Sequence, residues 1–371
     1  MGEALGGRSV SATPRYIRYK PANKATVLYE IELDHQRTSA VINIKVGDLR
    51  KALARPEARS LAASARGRCL SPEPLMFLES PRALVEWYPA RLGLPGLVFD
   101  VRSMTDQLEA SGHPLRDPIL VAYKPERRTV ERWGSVYVKA YVEDAEYRRA
   151  WRGLEAAAAL PGIVAPAALG SVPTHRLTVQ AEVVAEDATT LPALGQAVAR
   201  LHSSSPPGGT PWTSPADQLD LAWRTAAQVA WLLPDLEGDL AMVLTALERV
   251  APAPRDDAVV VSHGDLKVDN AVATSTGVAL LDFDHMCLAE PASDAANAAA
   301  HMVEGGPGDL VVAIDALEEL LSGYGKRPRD LLWYLAVSIL CRAVYPFRLL
   351  RMDWPARIGQ MVEHSAELLA A

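Results

Sequence analysis

Residues 259–284 read VVVSHGDLKVDNAVATSTGVALLDFD, and this stretch decides the fold. It begins in an apolar run, 258–261, which has the length and β-branched content of a buried strand. A polar loop from His263 to Asn270, called the catalytic loop below, follows directly. A second apolar run, Val278 to Leu281, ends in Asp282-Phe283-Asp284. Two apolar runs that each lead into an acidic loop predict that the two loops converge.

The catalytic loop places a carboxylate, Asp265, five positions before a carboxamide, Asn270. This is the spacing of a phosphoryl-transfer loop, in which the Asp accepts the proton of the substrate hydroxyl and the Asn binds magnesium. Asp282 lies where a second magnesium ligand is needed, and hard oxygen donors suit this ion. Asp284 either joins the metal site or holds the loop. The stretch therefore predicts phosphoryl transfer with Mg²⁺.

Three further residues near this stretch have two interpretations each. Lys267, two residues after the proposed base, either neutralises the transferring phosphoryl group or is an exposed loop lysine. His263 is expected to hydrogen-bond backbone and fix the loop, in preference to a direct chemical role. Asp294 caps a helix by its position, and it could also buttress the catalytic loop.

An upstream strand carries a lysine, Lys139, and is followed by a predicted helix at 144–160. A strand lysine paired with a helix glutamate holds the α- and β-phosphates of a nucleotide in kinases. Glu155 is the preferred partner, since the neighbouring alanine run suggests close packing. Glu143 and Glu146 lie at the helix start, where the helix dipole alone favours a carboxylate. The alternative is that Lys139 is a surface lysine.

The first half of the chain is rich in predicted strands. Residues 15–46 form three strand-like runs, which predict an antiparallel meander. A Tyr-Lys-Pro turn followed by basic residues occurs twice, at Tyr19-Lys20-Pro21 and at Tyr123-Lys124-Pro125. The recurrence indicates either a duplicated module or two similar hairpin turns, and repeat architectures normally need more than two units.

Bulk properties exclude several classes of protein. A chain of 371 residues exceeds the size at which one core usually keeps growing, so two lobes are expected. Its 49% hydrophobic and 22% charged residues are typical of a globular protein. A net charge of -7 argues against nucleic acid or an acidic membrane surface as partner.

Cellular location is predicted from cysteines and from apolar segments. The 3 cysteines are widely spaced and form neither a disulfide framework nor a zinc pattern, which favours a reducing cytoplasm. Met1 to Ser11 lacks the apolar region of a secretion signal. The run from Leu331 to Cys341 is too short to span a bilayer and predicts a buried helix.

The motifs at His263 to Asn270, at Leu281 to Asp284 and at Asp294 resemble the aminoglycoside phosphotransferase and choline kinase family. The resemblance implies an α+β, bilobal protein-kinase-like fold with a β-rich N-terminal lobe and a mainly helical C-terminal lobe. It also implies ATP- or GTP-dependent phosphorylation of a small-molecule hydroxyl. By position, Asp265 would be the base, Asn270 and Asp282 the magnesium ligands, and Lys139 the phosphate-binding lysine.

The resemblance divides the chain into three parts: an extended N-terminal region at 1–112, a nucleotide-binding core at 113–184 and a helical lobe at 185–371. The N-terminal region is longer than a minimal upper lobe requires. A second departure is that no G-x-G-x-x-G loop precedes Lys139. The nucleotide phosphates are therefore expected to meet Lys124, Arg127 or Arg128 in the hairpin turn before that lysine.

The acceptor is predicted less sharply than the reaction. Acidic residues in the later helices suggest a pocket for an aminoglycoside or amino-sugar, or simply a solvated face: Glu304, Asp309, Asp315, Glu318 and Glu319. A sugar or amino-alcohol kinase is the alternative enzyme, and a non-catalytic pseudokinase is disfavoured by the complete site. Gly264 and the absence of A-P-E after Asp284 disfavour a protein kinase. The oligomeric state stays open.

Overall fold

A computed structural model describes residues 10–33, 35–47, 49–98, 102–255, 258–305 and 309–370. The chain divides into two compact units. The first comprises residues 1–148, 169–181 and 348–350, and the second comprises 149–168, 182–347 and 351–371. The three-part division at residues 112 and 184 stays a prediction.

The first unit begins with a five-stranded sheet, called sheet A. Its elements are β1 (Val10–Lys20), β2 (Lys24–Leu33), β3 (Gln36–Lys45), α1 (Arg50–Leu53), α2 (Pro56–Ala65), β4 (Leu75–Leu78) and β5 (Ala83–Trp87). The strand order is β1-β2-β3-β5-β4, with antiparallel neighbours throughout. The predicted meander is confirmed, but its first strand begins at Val10 because that end of β1 pairs with Leu33 of β2.

A second five-stranded sheet, sheet B, follows in the same unit after helix α3 (Arg102–Ala110). Its strands are β6 (Ile119–Lys124), β7 (Arg128–Trp133), β8 (Val136–Tyr141), β9 (Ala168–Val172) and β10 (Leu177–Ala181). Helix α4 (Asp144–Ala159) follows β8, and from Arg149 onward it belongs to the second unit. Its order, β6-β7-β8-β10-β9, repeats that of sheet A, and each sheet inserts helix between its third and fourth strands. A Tyr-Lys-Pro turn closes the first hairpin of each sheet. The matching order favours a duplicated module over two coincidentally similar turns.

Each sheet buries one apolar face, as strand alternation requires. In sheet A, Ile31, Val85 and Trp87 are fully buried in one cluster. In sheet B, the strands β8 and β10 pack against helix α3 through an apolar cluster that includes Leu108. The opposite face of sheet A carries buried polar groups, among them Asn43.

The second unit is mainly helical. Its helices are α5 (Leu191–His202), α6 (Pro215–Leu232), α7 (Glu237–Arg249), α8 (Ala292–Gly305), α9 (Leu310–Tyr324), α10 (Leu331–Arg342), α11 (Tyr345–Arg348) and α12 (Trp354–Ala370). Helix α10 is the core element, since ten of its twelve residues are buried. The prediction of a buried helix here is confirmed. The segment Leu331–Arg348 has the length and hydropathy of a membrane span, and 67% of it is buried inside the protein.

Two short ladders carry the predicted site loops. They are formed by β11 (Val260–Ser262) with β14 (Cys287–Ala289), and by β12 (Ala271–Thr274) with β13 (Gly277–Leu280). The catalytic loop connects β11 to β12, and the Asp282–Asp284 turn connects β13 to β14. Both ladders are antiparallel, and each of the two loops connects one ladder to the other.

Candidate active site

The catalytic loop is anchored on one buried carboxylate, that of Asp294 in the first turn of α8. The backbone N–H of His263 donates to Asp294 Oδ2 at 2.7 Å, and that of Gly264 donates to Oδ1 at 2.9 Å. His202 Nε2 lies 3.1 Å from the same Oδ2, and its Nδ1 lies 2.8 Å from the Tyr324 hydroxyl. The interpretation of Asp294 as a buttress of the loop is confirmed.

Asp294 is 1% exposed, so its charge needs strong compensation. Burial alone would raise the pKa of Asp294, but the hydrogen bond and charge of His202 and the contacts with His263 hold it below its usual range. The loop is therefore held by an ionised carboxylate. Sequence reasoning assigned His202, the last residue of α5, no role at the site, because its partner lies 92 residues away.

The side chain of His263 is fixed by backbone groups on both sides of its ring. Nε2 lies 2.7 Å from the Leu281 carbonyl and Nδ1 accepts from the Asp265 N–H at 3.3 Å. In these two contacts Nε2 is placed to donate and Nδ1 to accept. Its ring also lies 4.9 Å from that of Phe283. His263 therefore joins the catalytic loop to the Asp282–Asp284 turn, and the prediction that it fixes the loop is confirmed.

Gly264 is required by two independent features of the backbone. Its φ is +76°, in the left-handed region that favours glycine. A Cβ atom at this position would lie 2.1 Å from the carbonyl oxygen of His285. The catalytic loop thus passes so close to the segment before β14 that no side chain fits between them.

Asp265 carries a part-buried carboxylate beside a guanidinium. Its side chain is 31% exposed, and its Oδ1 lies 3.5 Å from Nη2 of Arg342. Burial acts to raise the pKa of Asp265, but the charges of Arg342, His285 and Lys267 outweigh it and hold the pKa below the usual range, with Asp282 acting in the opposite direction. The carboxylate is ionised at neutral pH, as a proton acceptor must be.

Arg342 was missed by sequence reasoning. Its guanidinium donates to Asn297 Oδ1 at 2.9 Å, and Asn297 Nδ2 donates to the Leu266 carbonyl at 3.1 Å. Arg342 is 9% exposed at the C-terminal end of α10. The available signal was the charge itself, because a lone arginine at the end of an otherwise buried apolar helix needs a buried partner.

The predicted magnesium ligands include a buried carboxamide and two acidic residues. Asn270 Nδ2 donates to the Asp265 carbonyl at 3.0 Å, which leaves its Oδ1 as the free acceptor oxygen of the amide. Asp282 has a φ of +67°, a strained conformation for a residue with a side chain. Asp284 is 5% exposed, and its backbone carbonyl accepts from Arg149 Nε at 3.0 Å.

This donor set fits magnesium and does not fit a metal held by protein alone. All three side chains offer hard oxygen atoms. Over the described parts of the chain, no group of three or more His, Cys, Asp and Glu side chains could hold a metal ion. Magnesium suits such a sparse set, since it usually keeps waters and phosphate oxygens as its remaining ligands.

Helix α4 approaches the Asp282–Asp284 turn at a glycine. A Cβ atom on Gly153 would lie 2.1 Å from the carbonyl oxygen of Phe283. Gly153 and Arg149 therefore set the position of the turn from the helix side. Sequence reasoning did not identify Gly153, because only the folded chain brings the helix to this turn.

The predicted nucleotide residues are split between the two units. Lys139, in the first unit, is 6% exposed on β8, so the alternative of a surface lysine is wrong. Glu155, in the second unit, has an exposed side chain beside Arg152, and the close packing expected for it is wrong. The alanine run buries the opposite side of α4, where Ala157 lies in the helical core. The pairing of Lys139 with Glu155 stays a prediction.

The basic turn between β6 and β7 is part of a hairpin. Lys124 and Arg128 form its last cross-strand pair, and both are half-buried. Arg127 lies 3.4 Å from Glu146 of α4, so its charge has an acidic partner. Contact between this turn and nucleotide phosphates stays a prediction.

The acidic residues that suggested a cationic substrate lie on an exposed face. Asp309 caps α9 by accepting the Val311 N–H at 2.8 Å. Glu318 pairs with Arg327 at 2.6 Å. Asp315 and Glu319 are exposed, and the side chain of Glu304 lies outside the described residues. These contacts favour the solvated-face interpretation of this acidic group.

Comparison with known proteins agrees with the motif reading. Residues 154–331 match the sequence model of the phosphotransferase enzyme family. The chain matches no curated protein. The family match covers the catalytic loop, the Asp282–Asp284 turn and Asp294, which are the features joined by the contacts above.

Similar solved structures extend the comparison. The GDP and kanamycin complex of APH(2")-IIia is 13% identical, with a TM-score of 0.51, over 72% of this chain and 99% of that one. A choline/ethanolamine kinase family protein from Mesorhizobium loti is 16% identical, with a TM-score of 0.49, over 73% and 94%. A putative fructosamine-3-kinase from Thermobifida fusca is 19% identical, with a TM-score of 0.49, over 74% and 100%. The predicted kinase-like α+β fold, with a β-rich N-terminal part and a mainly helical C-terminal part, is confirmed.

Proposed function

We propose that this protein transfers the terminal phosphoryl group of ATP or GTP to a hydroxyl of a small molecule, in the cytoplasm. The match of residues 154–331 to the phosphotransferase enzyme family supports the proposal. The observation that carries the proposal is the catalytic loop. Asp265 and Asn270 are joined by a hydrogen bond of 3.0 Å, on a loop fixed by the ionised Asp294. A rigid base is what phosphoryl transfer needs from the protein, since positioning supplies most of the catalysis.

Asp265 orients the acceptor hydroxyl and takes its proton as the phosphoryl group arrives. The low pKa given to Asp265 by Arg342, His285 and Lys267 against the effect of burial keeps the carboxylate in the accepting form. A base of low pKa suits a reaction in which the proton leaves late. Lys267, half-buried two residues away, supplies positive charge toward the transferring group.

Asn270, Asp282 and Asp284 are the residues that would hold magnesium. When bound, the ion would neutralise charge on the nucleotide phosphates. Lys139 supplies a cation from sheet B for the nucleotide, with Glu155 as its predicted partner. Lys124, Arg127 and Arg128 are the proposed contacts for the outer phosphates.

Two acceptor classes are proposed, an aminoglycoside or amino-sugar and a sugar or amino alcohol. The charges at the base favour a neutral sugar hydroxyl. Arg342 lies 3.5 Å from Asp265, and Lys267 also contributes positive charge there. An ammonium group beside the reactive hydroxyl would meet both cations, and like charges at close range repel.

ADP release from MgATP tests the function across acceptors of different charge: neutral sugars, amino-sugars, aminoglycosides, choline-like alcohols and a generic protein. We expect turnover with a small-molecule hydroxyl and a loss of at least about 100-fold in kcat for Asp265→Asn. Nucleotide binding without turnover for every acceptor would support a non-catalytic binding protein. Turnover of the protein substrate alone would overturn the small-molecule assignment.

A further inference from the structure

The turn of the β6–β7 hairpin is held by sheet A. Glu126, at the centre of this turn, has a φ of +63° and a side chain that is 12% exposed. Its carboxylate forms an ion pair with Lys24 and accepts from the Thr26 hydroxyl at 3.0 Å. Arg18 donates to its backbone carbonyl at 3.4 Å. The three partners lie on β1 and β2, on both sides of the first Tyr-Lys-Pro turn.

Buried polar side chains continue this contact into sheet A. The Thr26 hydroxyl also lies 2.9 Å from Asn43 Oδ1, and Asn43 Nδ2 donates to Glu86 Oε2 at 2.5 Å. Glu86 forms an ion pair with Arg91. These four side chains are each at most 5% exposed. Since every unpaired member would be costly when buried, the chain of contacts specifies one arrangement of strands and turn.

The ionised state of Glu126 depends on sheet A. Burial acts to raise the pKa of Glu126, but the hydrogen bonds from Lys24 and Thr26 and the charge of Arg18 hold it below its usual range. The residue is therefore a carboxylate whose charge is balanced by cations of β1 and β2.

That balance matters because Glu126 lies between Lys124 and Arg127. A bare carboxylate at this turn would oppose the basic residues proposed to meet nucleotide phosphates. Lys24 pairs with the carboxylate of Glu126, and Arg18 donates to its backbone carbonyl. These cations of sheet A neutralise the negative charge of Glu126. Glu126 then subtracts less from the positive charge of the turn, in which Arg127 also pairs with Glu146.

We propose that sheet A is a positioning module for nucleotide binding: Lys24 and Thr26 hold and neutralise Glu126, and this keeps the β6–β7 turn competent to receive the phosphates of a nucleoside triphosphate. The proposal rests on the proposed function for its ligand. The duplicated sheet thus has a role distinct from that of sheet B, which carries Lys139. Its first Tyr-Lys-Pro hairpin holds the second.

Titration calorimetry with MgATP tests this role in the full chain, using Lys24→Met and the double variant Lys24→Met/Glu126→Gln. We expect Lys24→Met to raise the Kd for MgATP about tenfold, since it leaves the carboxylate unbalanced. The double variant removes the carboxylate charge of Glu126 that has lost its partner, and it is expected to return the Kd for MgATP to within about twofold of wild type. Arg15→Met is the matched control, because Arg15 pairs with Glu30 on the same sheet at an exposed position.

The outcomes separate the two proposals. A Kd for Lys24→Met equal to that of wild type, or a double variant as weak as the single one, overturns the positioning role while the kinase assignment stands. If Lys24→Met raises the KM of the acceptor as much as it raises the Kd for MgATP, the defect is a general structural one. This outcome also overturns the positioning role. MgATP binding with the expected pattern but no ADP release overturns only the kinase assignment. A wild-type protein that binds no MgATP overturns both.

Discussion

The Arg342 guanidinium lies 3.5 Å from the Asp265 carboxylate, at the end of a buried helix and next to the proposed base. Asn297 bridges the same guanidinium to the Leu266 carbonyl. Arg342 thus acts on both the charge and the position of the catalytic loop. It is therefore a positioning residue for the proposed base.

Arg342→Gln is expected to move the acid limb of the pH profile. The pKa of Asp265 is depressed against the effect of burial by Arg342 and the other nearby cations, so activity is retained as pH falls until that low pKa is reached. Without Arg342 the pKa rises, and the acid limb of kcat/KM should shift upward by about one pH unit. Arg342→Lys keeps a positive charge at this position, so it should reverse part of that upward shift. If the acid limb of kcat/KM stays at its wild-type position in both variants, Arg342 does not lower the pKa of Asp265.

Asp294→Asn is expected to destabilise the second unit by about 3–5 kcal/mol, because it leaves a buried group without its charged partner. The pKa of Asp294 is held below its usual range by His202 and His263, which outweigh burial. The stabilisation is therefore complete above about pH 4 and is lost as pH falls through the depressed pKa.

Urea unfolding at neutral pH and at about pH 3 measures this effect. The difference between wild type and Asp294→Asn should be smaller at the lower pH. Asp353→Asn is the control, since Asp353 forms an exposed contact with Arg357 on the surface of α12. An Asp294→Asn protein as stable as this control would contradict the assignment of Asp294 as the anchor.

Gly264→Ala is expected to lower kcat by more than about tenfold while Gly112→Ala leaves it unchanged. Both glycines have positive φ, +76° and +81°, so both substitutions carry the same backbone strain. Only at Gly264 does a Cβ meet another group, the His285 carbonyl at 2.1 Å. Steady-state kinetics of the two variants separates the effect of the Cβ clash from that of the backbone strain. Equal losses of kcat in both variants would contradict the close approach of Gly264 to the His285 carbonyl.

Gly153→Ala is expected to raise the Mg²⁺ concentration needed for half-maximal activity. Its Cβ would meet the Phe283 carbonyl at 2.1 Å and displace the Asp282–Asp284 turn. Gly238→Ala, in helix α7, has open space at its Cβ and should stabilise the protein by roughly 0.5–1 kcal/mol. Magnesium titrations of both variants measure the difference. An unchanged Mg²⁺ requirement in Gly153→Ala would show that the turn tolerates the shift.

Sequence patterns located the chemistry because it is local in the chain. Asp265 and Asn270 belong to one loop, and Asp282 ends the next apolar run, so residue type and spacing were sufficient. The strands of the meander and the buried helix at Leu331 were predictable for a similar reason, since burial leaves its pattern within each element. Strand β9 was not predicted, because its short sequence, ALGSV, lacks a clear alternation.

The sequence by itself determined which residues carry the phosphoryl-transfer motifs and which segments form the strands that deliver them. Only the tertiary structure decided what holds those residues in place. Asp294 reaches His202 across 92 positions, and Arg342 reaches Asp265 across 77 positions counted along the chain. Such pairs are set by burial, because a buried charge must find a partner wherever the packed helices bring one near. The second Tyr-Lys-Pro turn is a case of the same kind: the sequence revealed two similar hairpins, and the fold placed Glu126 of one against Lys24 of the other.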